Sequence, residues 1–147
     1  MGLMTDLGSG RVAIDTALFI YLLEENERFL PLVEPLFRDA DSGRRELITS
    51  ALTLLEVMVV PYRAGDARLA QRYEHLLMRS RGIRVVDISL DQLRAAAQLR
   101  AALRVKTSDA LQLSAALSCG CACFVTNDRR IPEVPGLRVL QLTQYAP

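Results

Sequence analysis

Four acids in this chain sit where their carboxylates could do chemistry. Asp15 closes the short apolar run 11–15 (RVAID), and Asp128 lies two residues beyond the run 122–126 (ACFVT). Asp109 opens the small-residue segment 109–118 (DALQLSAALS). Glu56 is set inside the apolar stretch 54–60 (LLEVMVV), with Leu52, Thr53, Val59 and Val60 at its helical neighbour positions. Taken singly, three of them have ordinary explanations. Asp favours turns and caps, and Asp109 complements the positive end of a helix, an effect of about 0.3–1 kcal/mol. Glu56 is harder to place, because a carboxylate on a largely apolar face needs a partner and its own segment offers no base. If the four converge, they repel one another and raise one another's pKa values. A hard divalent cation, Mg²⁺ or Mn²⁺, offsets such a cluster through oxygen ligands. One or two such ions generate hydroxide near neutral pH and stabilise charge on a phosphoryl oxygen, which is the chemistry of phosphodiester hydrolysis.

Other chemistries lack their residues. His75 is the only histidine, which leaves no His-rich zinc site, and its charged neighbours mark it as a surface residue. No Gly-rich dinucleotide loop, Walker lysine or nucleophile elbow occurs. Cys119, Cys121 and Cys123 form a C-x-C-x-C run that suits neither a disulfide framework nor a zinc knuckle. Their alternation places them on one strand face as small apolar filler. A phosphatase using Asp15 as nucleophile wants an acid two positions on, where Ala17 stands, and a receiver domain wants a lysine after a late strand, whereas Lys106 precedes a helix. The formal charge is +1, so no global basic field draws in nucleic acid. Nearly all the positive charge is arginine, which suits phosphate but equally reflects a GC-rich coding sequence.

The elements that must position the acids alternate along the chain. Residues 11–15 form a strand, Thr16 caps a helix over 17–29, and Pro31 opens a second helix ended by Asp41-Ser42-Gly43. Residues 46–49 are a strand, and Ser50 caps a helix that ends at Pro61–Gly65. Asp66 caps an amphipathic helix carrying Leu69, Tyr73, Leu76 and Leu77 on one side. After the strand 83–88, Ser89 and Asp91 start a helix, and Thr107 and Ser108 cap another, closed by Gly120. Strands at 122–126 and 137–142 finish the chain. Short apolar strands alternating with helices predict a three-layer α/β domain with a central parallel sheet of about five strands. In such a fold the functional crevice lies beyond the carboxyl ends of the strands, where strand order reverses.

The chain's 147 residues suit one domain, assigned to 11–147, with residues 1–10 expected to be a mobile lead-in. No apolar run approaches the ~20 residues of a membrane span, and residues 1–10 (MGLMTDLGSG) do not read as a secretory signal, so a cytoplasmic location without membrane attachment is expected.

At this point the motifs resemble a known family. The segment 107–117 (TSDALQLSAAL), followed by 124–130 (FVTNDRR), is similar to PIN-domain nucleases, and most closely to VapC-type toxins of toxin–antitoxin pairs. The start, 12–16 (VAIDT), resembles that family's first acidic motif, and 48–50 (ITS) with Glu56 its second. The resemblance spans about residues 11–142. It implies a PIN-like, Rossmann-like fold and Mg²⁺- or Mn²⁺-dependent endoribonuclease activity. It also implies a homodimer and a cognate antitoxin protein that occludes the site. Asp15, Glu56, Asp109 and Asp128 become the metal-binding acids, with Thr126, Thr16 and Asn127 in support. Asp15 and Asp109 are expected to hold the main metal, with Glu56 binding a second or orienting water. Arg129 and Arg130 are candidates for contacting RNA phosphates. One departure is Ala17, where the family often has Asn or Ser. Leu18, Phe19, Leu22, Leu23, Val33, Leu36 and Phe37 are either core or a groove for an amphipathic antitoxin helix. The competing reading is a catalytically inactive PIN-like binding or assembly module.

Overall fold

The computed structural model describes residues 2–147. Five strands, β1 (Val12–Ile14), β2 (Leu47–Ser50), β3 (Ile83–Val86), β4 (Cys123–Thr126) and β5 (Arg138–Gln141), pair in parallel in the order β3-β2-β1-β4-β5. Helices α2 (Thr16–Leu23) and α3 (Leu30–Asp41) connect β1 to β2, and α4 (Leu52–Arg63) and α5 (Ala67–Arg79) connect β2 to β3. The chain then returns through α6 (Leu90–Ala102) and α7 (Thr107–Ser118) to β4, on the other side of β1. Strand order therefore reverses between β1 and β4, and the crevice expected of such a reversal opens past Ile14 and Thr126.

The pleat divides the core. On β1, Val12 and Ile14 pack with Leu47, Cys123 and Val125 under α2–α5, while Ala13, Ile48 and Phe124 face α6 and α7. The result is the three-layer α/β/α arrangement that the alternation predicts. Helix α7 is buried along one continuous stretch, from Ala110 to Ala116. Buried helices lose the one-sided pattern of surface helices, and its small residues let it lie close to the sheet. Two caps fall where the polar residues predict them, Asp66 accepting from the Leu69 N–H at 3.0 Å and Ser89 from the Gln92 N–H at 3.1 Å, whereas Thr16 lies inside α2, which Asp15 caps, and Thr107 and Ser108 lie inside α7, which has no side-chain cap. No helix among the described residues is long and apolar enough to cross a membrane.

Four expectations are corrected. The helix predicted over 17–29 stops at Leu23, because Glu25 adopts a left-handed backbone (φ 52°) and Asn26 then caps a new turn, accepting from the N–H groups of Arg28 and Phe29. The lead-in 1–10 is not bare of structure. Leu3–Leu7 form α1, and Leu3 and Leu7 are buried in the core beneath α3. Leu18, Phe19, Val33, Leu36 and Phe37 are core residues, with Leu22 and Leu23 packed partly buried against them, so they form no open groove. The exposed apolar side chains lie elsewhere, chiefly Leu55, Val60 and Tyr62 on α4 and Leu90 on α6. The cysteines are free and buried, as filler should be, but only Cys123 lies in a strand, and Cys119 and Cys121 pack in the opposite core layer.

Gly82, between α5 and β3, is fixed by space as well as by conformation. Its φ is +77°, and a Cβ there would lie 2.3 Å from the carbonyl oxygen of Ala40. The left-handed backbone and the clash with main chain each disfavour a side chain. Gly82→Ala is expected to cost at least about 2 kcal/mol, read as a lower urea midpoint with an unchanged denaturant slope.

Candidate active site

The reversal beside β1 brings two strand ends together. Asp15 follows β1 directly and caps α2, its Oδ1 accepting from the Ala17 N–H at 3.1 Å. Its backbone N–H continues the sheet, donating to the Val125 carbonyl at 3.3 Å. Thr126, the last residue of β4, is fully buried, and its hydroxyl donates to Asp15 Oδ2. The same Thr126 oxygen accepts from the Asp128 N–H at 3.0 Å. One buried hydroxyl thus ties the first acid to the turn that carries the fourth.

Asp128 is held differently. Arg130 reaches back with a fork, Nε to Oδ1 at 3.0 Å and Nη2 to Oδ2 at 2.9 Å, and its backbone N–H adds a third bond to Oδ1 at 2.9 Å. Asn127 supports the neighbourhood from behind: its amide donates to the Tyr21 hydroxyl at 3.0 Å and its Oδ1 accepts from the Thr143 N–H at 3.2 Å. Glu56, half-buried on α4, accepts from the Thr16 hydroxyl at 2.7 Å. Asp109 sits in the first turn of α7, half-buried, and among the described residues its carboxylate has no hydrogen-bond or ion-pair partner.

All four carboxylates line one cavity of about 570 Å³. Their fields overlap. Burial pushes the Asp15 carboxyl up to about 6; the hydrogen bonds from Thr126, Ala17 and Asn127 oppose this, and the charge of Asp128 adds to it. Asp109 is also raised, first by desolvation and then by Asp128 and Glu56, while Arg130 and Lys106 oppose. Asp128 goes the other way, because Arg130 hydrogen-bonds its charged form. The four acids named from the sequence therefore line one cavity, in differing environments.

Thr16, Asn127, Arg129 and Arg130 also line the cavity. Thr16 serves Glu56, and Asp15, beside the unusual Ala17, is held by that residue's backbone N–H instead. The sequence reading missed Tyr21, Lys106, Ser108 and Gln112, which complete the lining. Lys106, the only lysine, immediately precedes α7 one turn from Asp109. Its isolation among arginines was a legible clue. Nothing about Tyr21 distinguishes it in sequence from a core aromatic.

The donor set is all oxygen and mostly carboxylate, which suits Mg²⁺ or Mn²⁺ over zinc or copper. As placed, no group of three His, Cys, Asp or Glu side chains among the described residues closes on a single point. The residues fit such an ion in kind, with Asp109 unpaired and ready to serve it.

The PIN-domain family model matches residues 12–137. No curated protein matches the chain's sequence. Among solved structures, VapBC2 from Rickettsia felis bound to a DNA fragment from its promoter has a TM-score of 0.65 at 17% identity, covering 89% of this chain and 98% of that one. A toxin–antitoxin complex from Klebsiella pneumoniae gives 0.64 at 20% identity, covering 86% and 94%. VapC20 of Mycobacterium tuberculosis, a toxin that cleaves the sarcin–ricin loop, gives 0.62 at 16% identity, covering 77% and 86%. At these identities the likeness is one of fold.

A pH dependence follows from Asp15. Its folded pKa of about 6 lies above the ordinary 3.8, so between those values the folded chain keeps a proton that the unfolded chain has released. Its contribution is therefore lost as pH rises from about 4 to 6 and remains a penalty above that, on the order of 2–3 kcal/mol at full extent. Asp109 shifts in the same sense. In EDTA, urea unfolding of the parent should show lower stability at pH 7.5 than at pH 4.5. Asp15→Asn should flatten this difference and be more stable than the parent at pH 7.5.

Proposed function

The chain belongs to the PIN-domain family, and from that premise we propose that it is a Mg²⁺- or Mn²⁺-dependent endoribonuclease, the toxin of a VapBC-type pair. The observation that carries this reading is the meeting of Asp15, Glu56, Asp109 and Asp128 in one cavity at the point of strand reversal. Support for the toxin role comes from neighbours in fold: a VapBC complex, a toxin–antitoxin complex and a toxin that cleaves the sarcin–ricin loop. On this reading the protein acts in the cytoplasm as a homodimer, and a cognate antitoxin covers the cavity.

Asp15 and Asp109 would hold the cation, with Asp128 joining when the Arg130 fork releases it. Glu56 would hold a second ion or orient the attacking water. The bound cation supplies a hydroxide at neutral pH and charge stabilisation at the phosphoryl oxygen. The chain's own residues set the stage for this. Thr126 fixes the angle of the Asp15 carboxylate from the sheet side. Lys106 and Arg129 are the cationic side chains of the cavity with no ion-pair partner among the described residues, and both suit the flanking phosphates of an RNA strand. Arg130 becomes available for the same work when it leaves Asp128.

One observation favours a second reading, an inactive binding or assembly module: Asp128 is occupied by Arg130. That pair is partly exposed, and such pairs contribute only about 0–1 kcal/mol, so an incoming cation can displace it.

Purified protein freed of any antitoxin should cleave a pool of single-stranded and structured RNA with Mg²⁺ or Mn²⁺ and not with EDTA. Asp15→Asn and Asp109→Asn should each reduce the rate on the order of 100-fold or more, and Thr126→Ala about 10–100-fold. Equal cleavage by parent and Asp15→Asn would overturn the assignment. Metal binding without cleavage of any RNA, including ribosomal RNA, would leave the assembly module.

A further inference from the structure

Helix α7 is built almost wholly of Ala, Leu and Ser, yet it places an amide, Gln112, at 5% exposure. A buried amide is costly unless its donor and acceptor are both used. Here they are. Gln112 Oε1 accepts from the Ser50 N–H at 3.1 Å and from the Thr49 hydroxyl at 3.3 Å, and Nε2 donates to Thr53 Oγ1 at 2.8 Å. Thr53 is fully buried on α4, three residues before Glu56. Its oxygen lies 2.7 Å from that of Thr49 and 3.2 Å from that of Thr16. Thr16 in turn donates to Glu56 Oε1 at 2.7 Å.

The direction of this line is fixed at both ends. An amide nitrogen only donates and a carboxylate only accepts, and each hydroxyl between them has one proton. Thr16 gives its proton to Glu56, so it accepts from Thr53. When Thr53 gives its proton to Thr16, it accepts from Gln112 Nε2 and from Thr49, whose single proton then leaves Gln112 Oε1 to the Ser50 N–H. This arrangement links every member from Gln112 to Glu56, whereas the other one, Thr53 to Thr49 to Gln112 Oε1, leaves the Thr16–Thr53 contact without a proton. Chains of aligned donors strengthen one another where water is excluded. They also restrict the rotamers of every member, ending with Glu56.

We propose that Gln112 is a positioning residue for Glu56, acting through the buried hydroxyls of Thr53 and Thr16 to hold that carboxylate at the cavity. The inference rests on the nuclease reading for the use to which Glu56 is put, but not for the positioning itself. The alternative is that Gln112 merely fastens α7 to β2 and α4. The two differ in what happens when Glu56 is already gone.

The test compares Thr53→Val, which keeps shape and loses the hydroxyl, with Thr53→Ser, which keeps the hydroxyl. Glu56 is followed by the ¹³C resonance of its side-chain carboxyl in glutamate-labelled protein, at fixed pH and without metal. Thr53→Val is expected to move that resonance, and Thr53→Ser to leave it near the parental position. In Mn²⁺-supported RNA cleavage, Thr53→Val should lower kcat about 10–100-fold with KM changed no more than about 2-fold, and Thr53→Ser should restore it. In a Glu56→Gln background, Thr53→Val should cost nothing further, because the two changes break one line. A folded Thr53→Val protein with an unmoved Glu56 resonance overturns the proposal. So does the same fold-loss in kcat with and without Glu56. Should Thr53→Val fail to fold, Gln112→Met carries the same comparison. A parent that neither binds Mn²⁺ nor cleaves RNA sinks the nuclease reading, while the carboxyl resonance still decides the positioning.

Discussion

The placement of β4 beside β1 is the constraint on which the rest depends. The chain lays β1, β2 and β3 outward in one direction and then crosses back, so the first and fourth strands end side by side. No side chain chooses that meeting; right-handed crossovers and the need to cover both sheet faces impose it. Once imposed, Asp15 and Thr126 are neighbours, and the Thr126 hydroxyl can serve Asp15 and the Asp128 turn together. Helix α7 leads directly into β4, so its first turn lies at the same edge and supplies Asp109. Helix α4 follows β2, the neighbour of β1 on its other side, and supplies Glu56.

Such a cluster works against stability. Two of the four acids are shifted upward by burial and by their fellows, which is free energy that folding must supply elsewhere. The rest of the domain is arranged to supply it. Ile14, Leu18, Phe19, Leu47 and Phe124 are fully buried on the two sheet faces, and each such side chain contributes about 1.5–3 kcal/mol relative to exposure. The acids thus sit at the rim of a well-packed sheet and not within it. A site carrying stored electrostatic cost on a rigid support is the ordinary pattern for catalytic machinery.

How much of this was legible depends on which physical rule each element obeys. The strands β1, β2 and β4 read clearly, because a strand buried on both faces must be continuously apolar. Asp66 and Ser89 read as caps because only a short polar side chain reaches the free N–H groups of a first turn. The end of α2 did not read. Residues 24–29 keep helical composition, and the break at Glu25 comes from a left-handed backbone that a glutamate does not advertise. Helix α1 was missed because five residues give too short a window for periodicity, and only burial of Leu3 and Leu7 against α3 makes it part of the domain. The four acids were legible together, as an ordered set at strand edges. Tyr21, Gln112 and Thr53 were not, since their importance lies in long-range contacts that adjacent sequence does not record.

The acids are held in three ways. Asp15 and Glu56 are oriented by neutral donors: hydroxyls from Thr126 and Thr16 and the N–H of Ala17. Asp109 is left free, and Asp128 alone is bound by a cation. A guanidinium buried beside Asp15 would neutralise it and compete with any ion it is to bind, whereas a hydroxyl fixes the carboxylate's angle and leaves its charge in place. Arg130 approaches from the exposed rim, two residues from its partner, where an ion pair is weak and exchangeable. The inner acids therefore keep both geometry and charge, and the outer acid is the one whose engagement can change. That division would suit a cation held by Asp15 and Asp109, with Asp128 as the last, movable ligand.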